Sequence, residues 1–195
     1  TMDVNPSVEY TIAKSGIVKN VRCLNSDAEN ALSDVALGKQ SVETALTRTV
    51  AAYEACGYME NGEATVLISF DSRLDANAEL KASLSAEIRK ALEQTDAVGT
   101  LVFHSELTEN AEAAKIAEEF HVSLGRADWI LTAANKTGLP TDEVARMSLD
   151  ELLKFQEVSG IASVSVSKFI SLEEAKKIAL KDAGLDEATQ KIVFT

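Results

Sequence analysis

The sequence predicts an α+β domain: a mixed or antiparallel sheet with helices on one side, followed by a small helical subdomain. Three observations carry this. Strand patterning occurs four times in the first half, twice within residues 1–24 and again at 64–70 and 97–103. Helical periodicity separates the later strands, most clearly where Leu80, Leu84, Ile88 and Leu92 recur every four residues. From 109 to about 158 strand patterning disappears and short helices alternate with turn chemistry. The resulting order β-β-α-α-β-α-β mixes a hairpin with helical crossovers, which suits an α+β sheet. With 195 residues, 46% of them hydrophobic, the chain is long enough to bury a core. Residues 1–106 are expected to form the α+β unit, 107–160 the helical subdomain, and 161–195 a linker with the start of a further unit.

Residues 1–12 alternate without a break: Met2, Val4, Pro6, Val8, Tyr10 and Ile12 are apolar, and Thr1, Asp3, Asn5, Ser7, Glu9 and Thr11 are polar. This is the pattern of one half-buried strand. Pro6 breaks a rule inside it, because proline cannot donate to a ladder and belongs at an edge, a start or a bulge. Lys14-Ser15-Gly16 is a turn, and residues 17–24 complete a hairpin. Asn25-Ser26-Asp27 caps a short helix over about 27–36. Ser41 caps a second through about Cys56, with Gly57 in the position that ends helices in a left-handed residue. Asn61-Gly62 is a turn, and the uninterrupted apolar run 64–70 reads as a central strand. A helix over 75–95 leads to the strand 97–103.

In the second half, Ala113, Ile116, Ala117 and Phe120 share one helix face. Residues 122–126 open a helix carrying Trp129, Ile130 and Ala133, ended by Gly138-Leu139-Pro140. Ser148 and Glu151 have capping-box spacing before Leu152, Leu153 and Phe155. Residues 162–168 are a Ser-rich linker with some strand tendency. Ser171 and Glu174 make another capping box, opening a helix with Ala175, Ile178, Ala179 and Ala183 on its buried stripe, and 191–195 resembles the start of a strand. An opening inside a strand and a last unit of one helix and one strand are both expected where flanking material has been removed.

Composition narrows the function. With 19 basic and 31 acidic residues the net charge is −12, which argues against nucleic acid as a partner. No run approaches the roughly 18 apolar residues needed to span a bilayer. Cys23 and Cys56 fit no metal spacing, His104 and His121 lack a second ligand at helical spacing, and neither a metal nor a cofactor is expected. Gly-rich phosphate loops and G-x-S-x-G nucleophile motifs are absent from the sequence.

Asp3-Val4-Asn5-Pro6-Ser7-Val8-Glu9-Tyr10, followed by Gly16-Ile17-Val18 and Val21-Arg22-Cys23-Leu24-Asn25-Ser26-Asp27, resembles the extracytoplasmic domain of RsgI-like anti-sigma factors. The similarity extends through Gly57-Tyr58 and Val66-Leu67-Ile68-Ser69 to His121-Val122-Ser123-Leu124-Gly125-Arg126, and covers about residues 1–158. Residues 170–185 look like the opening of a PepSY-type domain. The resemblance implies a membrane protein with a cytoplasmic sigma-binding segment, one transmembrane helix and this domain outside, acted on by site-specific membrane proteases and open to an extracellular ligand. It also implies self-cleavage between Asn5 and Pro6, with the two pieces staying associated.

The residues supply a chemistry for that step. An Asn side-chain amide can attack its own backbone carbonyl and close a succinimide, expelling the next residue's nitrogen. The competing deamidation needs an N–H on that next residue, which Pro6 lacks. The fold must then hold Asn5 in an attacking rotamer and protonate the leaving nitrogen. On a continuous strand Asp3, Asn5, Ser7 and Glu9 would share a face. Asp3 would orient the Asn5 amide, and Ser7 or Glu9 would relay the proton. The alternative is a non-cleaving scaffold that binds a ligand or protein.

Overall fold

The computed structural model describes residues 1–59, 64–94, 98–106, 110–159, 165–170 and 172–182. Its strands are β1 (Met2–Asp3), β2 (Ser7–Ile12), β3 (Val18–Cys23), β4 (Ala64–Asp71), β5 (Gly99–Glu106) and β6 (Ser165–Phe169). Its helices are α1 (Ser26–Leu32), α2 (Val42–Ala55), α3 (Ala78–Glu93), α4 (Ala111–Phe120), α5 (Leu124–Thr137), α6 (Thr141–Ala145), α7 (Leu149–Ser159) and α8 (Leu172–Asp182). The strands make one sheet in the order β3-β2-β1-β4-β5-β6. Only β4 and β5 run parallel, joined through α3; the other neighbours are antiparallel. The α+β class is therefore the one the sequence implies.

Alternation along β4 sorts the core into two layers. Val66, Ile68 and Phe70 face α2 and α3, packing with Met2, Val8, Leu46, Tyr53, Leu84 and Ile88. Leu67 faces the opposite way, with Val102, into a second layer built by Trp129 and Ile130 of α5 and Leu152 of α7. The helical second half of the chain thus closes the other face of the sheet. Helix starts follow the capping chemistry: the Ser41 side chain accepts from Thr44 N, and Ser148 and Glu151 bond each other's backbone N–H at 2.8 and 3.2 Å. Gly99 sits where β5 starts beside β4; a Cβ there would lie 2.0 Å from the Ala64 carbonyl oxygen, so only glycine fits.

Four readings are corrected. Residues 1–12 are not one strand: the chain reverses at Val4-Asn5-Pro6, and β1 and β2 pair antiparallel with Met2 opposite Val8 and Asp3 opposite Ser7. The first helix stops at Leu32. The helix expected from 75 is preceded by a 3-10 turn over Ser72–Ala76, and α3 starts only after Asn77, whose side chain caps Leu80 N. The Ser-rich stretch read as a linker contributes β6, an edge strand on β5. Cys23 and Cys56 are free thiols. The Asn61-Gly62 turn and the strand read at 191–195 lie outside the described residues. Among the described residues no helix is long and apolar enough to cross a membrane.

Candidate functional site

Asn5 occupies the tip of the β1-β2 reversal alone. Extending the register of Asp3 with Ser7 places Val4 opposite Pro6, and the Val4 N–H donates to the Pro6 carbonyl at 2.9 Å. The reciprocal bond would need an N–H on residue 6, and proline has none. So tight a turn drives Asn5 to φ +64°, the left-handed region that non-glycine residues rarely enter and that Asn tolerates best. Pro6 is buried while Asn5 is exposed. Asn25, the N-cap of α1, braces the turn: its Oδ1 accepts from Ser7 N at 3.3 Å and Ala28 N at 3.0 Å, and its Nδ2 makes a long 3.5 Å contact to Asn5 Oδ1.

Beneath the turn, between the sheet and α5, lies a buried polar layer. Asp3 is fully buried, and its Oδ2 accepts from the Ser123 hydroxyl at 2.6 Å. Ser123 also caps α5, accepting from Arg126 N at 3.0 Å. Burial pushes the Asp3 carboxyl up; the Ser123 hydroxyl, the nearby Ser7 hydroxyl and, more weakly, Arg126 pull it down, and burial wins. Ser7 Oγ and Asp3 Oδ1 face one another's strand positions without a hydrogen bond of standard geometry. Burial lowers the Arg126 guanidinium, which is held by a 2.8 Å bond from Nη2 to the Met147 carbonyl. Arg126 also lines a cleft of about 260 Å³ that Asn5 and Val4 share with Tyr58, Ser148 and Asp150.

A family model described as the anti-sigma factor RsgI-like central domain matches residues 1–132, the span that contains the Asn5-Pro6 turn, Asp3 and Ser123. The chain belongs to this family. Among curated proteins it is 27% identical over 161 residues to anti-sigma-I factor RsgI9 of Acetivibrio thermocellus, a match covering 79% of this chain and 22% of that protein. RsgI3 of the same organism is 28% identical over 165 residues, covering 78% and 25%, and RsgI4 is 24% identical over 163 residues, covering 80% and 30%. The chain thus spans between about a fifth and a third of the length of these relatives. The family match ends at residue 132, and the PepSY-like reading of 170–185 rests on sequence resemblance alone.

Within the RsgI-like domain the proposed residues fall into two groups. Asp3, Asn5, Pro6 and Ser7 come together around the reversal. Glu9 is instead held by Arg22 at 2.7 Å in an exposed ion pair on β2 and β3. Ser123, Arg126 and Asn25 join the site without having been singled out as functional; their sequence signals were the Ser-x-x-Arg helix start and the cap at 25–27. Further along the polar layer, buried His104 Nε2 lies 3.0 Å from Asp128 Oδ2, and half-buried Asn110 donates through Nδ2 to Asp128 Oδ1 at 3.0 Å. Among the described residues no three His, Cys, Asp or Glu side chains converge as metal ligands.

Proposed function

We propose that this domain is the extracytoplasmic regulatory part of a membrane-spanning anti-sigma factor, and that it cuts its own backbone between Asn5 and Pro6. The observation that carries the reading is the one-residue reversal: Asn5 alone at φ +64°, followed by a residue without an N–H. Such local strain is tolerated where the surrounding structure over-determines it, and it clusters at functional sites.

Asn5 Nδ2 attacks the Asn5 carbonyl carbon. The C–N bond to Pro6 breaks, the nitrogen takes up a proton and becomes a secondary amine, and Asn5 is left as a C-terminal succinimide that water later opens. The amide gives up one proton and the proline nitrogen gains one, so the fragment masses sum to the parent until hydrolysis adds water. Asp3, held by Ser123 and with its carboxyl pushed up by burial, lies one ladder position from the turn and supplies the proton through Ser7. The severed strand remains seated in the sheet as a latch. Its withdrawal exposes the membrane-proximal stump to membrane proteases and frees the sigma factor bound on the other side.

Intact mass spectrometry of freshly purified protein tests the step. A species beginning at Pro6 is expected, and Asn5→Ala abolishes it. A backbone that stays whole under denaturing conditions, or an Asn5→Ala variant cut like the parent, sinks the reading.

A further inference from the structure

Of the described lysines and arginines, Arg126 alone is buried, with 7% of its surface exposed. Among the described residues its guanidinium makes one hydrogen bond, to the Met147 carbonyl, and no ion pair, and its Nε has no hydrogen-bond partner. Asp3 attracts it from further off, but burial pushes the Asp3 carboxyl up, which weakens it as a counter-charge. An arginine stays charged even where burial lowers its pKa. Proteins rarely leave a buried charge unbalanced, because the lost hydration is not recovered. Arg126 breaks that rule beside the Asn5-Pro6 turn.

The side chain lines the cleft of about 260 Å³ that also takes in Asn5. Other polar groups there are already engaged. Asp150 is exposed and accepts the Thr65 hydroxyl, Tyr58 is half-buried and hydrogen-bonded to Asp27, and Ser148 caps α7. The first turn of α7 offers its positive end, but Asp150 and Glu151 within that turn offset it. Arg126 therefore sets the preference of the cleft for an anion. In the uncut chain Asn5 brings only a neutral amide and a neutral carbonyl to it. Scission changes this. Water adds its hydroxyl to one imide carbonyl of the residue-5 succinimide and a proton to the ring nitrogen; the C–N bond between them breaks, and the new acid ionises. Opening at either carbonyl leaves one amide and one carboxylate on residue 5.

We infer that Arg126 and this cleft are the seat of the carboxylate that scission and ring opening leave on residue 5. The inference rests on the reading that the chain cuts itself at Asn5-Pro6. The carboxylate supplies the counter-charge that Arg126 lacks, and a planar guanidinium suits a carboxylate through paired N–H donors. Before scission the buried cation is a standing cost to the fold. After ring opening it is one half of a buried ion pair. The severed strand is then held by a charge that only the hydrolysed product carries, in addition to the pairing of Met2 with Val8 and Asp3 with Ser7. Opening of the succinimide thus sets the latch.

The test follows release of residues 1–5 from the cut 195-residue chain by gel filtration and mass spectrometry, which tells the succinimide form from the hydrolysed form by one water. The hydrolysed form is expected to leave about tenfold or more slowly. Arg126→Met should erase that difference and Arg126→Lys should keep part of it. In the uncut Asn5→Ala protein, Arg126→Met is expected to leave the denaturant midpoint unchanged or raised, since it removes an unbalanced buried charge. A midpoint that falls there would make Arg126 a packing residue and overturns the inference. If Arg126→Met is not cut, the two product forms of the parent still decide the matter. An uncut parent refutes the scission and this inference together, whereas a cut parent whose two forms leave at the same rate refutes this inference alone.

Discussion

At the scale of single residues, Asp3 is the most exacting group in the molecule. It is a fully buried carboxyl with one oxygen bonded to Ser123 and the other lacking a standard hydrogen bond. Its folded pKa is raised above the ordinary 3.8, chiefly by burial. A carboxyl raised on folding keeps its proton in the native state after the unfolded chain has released it, so its contribution to stability is full below about pH 3.8 and fades as the pH rises through the folded value. Asp3→Asn in the Asn5→Ala background is therefore expected to gain stability relative to its parent between about pH 4 and pH 7. Urea unfolding at the two pH values measures this, and a gap that narrows toward neutrality contradicts it. In a cleavage-competent protein the same change removes the proton source and is expected to slow scission about 10²–10⁴-fold, read from the fraction starting at Pro6 over time. Ser123→Ala removes both the donor to Asp3 and the cap of α5, and should cost about 2–4 kcal/mol. Denaturant midpoints falling by less than half of that would mean the layer repacks around the loss.

Elements explain what the sequence hid and what it showed. A reversal of one residue at position 5 pairs each residue with one of the same parity, Asp3 with Ser7 and Met2 with Val8. Odd residues therefore stay on one face and even residues on the other, and alternation runs through the turn as if no turn were there. The Asn-Pro dipeptide was the available signal, since both residues favour turns. Ser123 was hidden for another reason: its partner is 120 residues away in sequence, and only the packing of α5 on the sheet brings them together. What local chemistry governs was legible, such as the caps at Ser41 and Ser148 and the apolar run of β4. Gly99 belongs with the hidden features, because nothing in its neighbours announces a carbonyl 2.0 Å from where a Cβ would stand. That contact is backbone, so the parallel β4-β5 start must shift to admit a methyl. Gly99→Ala is expected to lose about 1–3 kcal/mol, measurable by thermal unfolding, and an unchanged midpoint would show the strand start to be free to move.

For the whole molecule, the described sheet places β1 as the strand that joins the β2-β3 hairpin to the β4-β5-β6 half. Both core layers depend on that link: Met2 and Val8 join the first, and Asp3 anchors α5 of the second through Ser123. While β1 is in place the two layers should melt as one unit. In Asn5→Ala, the fluorescence of Trp129, fully buried in the second layer, and far-UV circular dichroism are expected to give coincident unfolding curves. Loss of residues 1–5 after cleavage removes the strand between β2 and β4 and leaves the hairpin attached through α1, α2 and their loops. Amide exchange along β2 and β3 should then accelerate well before β4 and β5, and the Trp129 curve should separate from the dichroism curve. If the cleaved and stripped protein instead keeps a single coincident transition and uniform protection, β1 is not the link that holds the halves together. Strand withdrawal would then change only the severed end, and the latch would have no way to reach the rest of the domain.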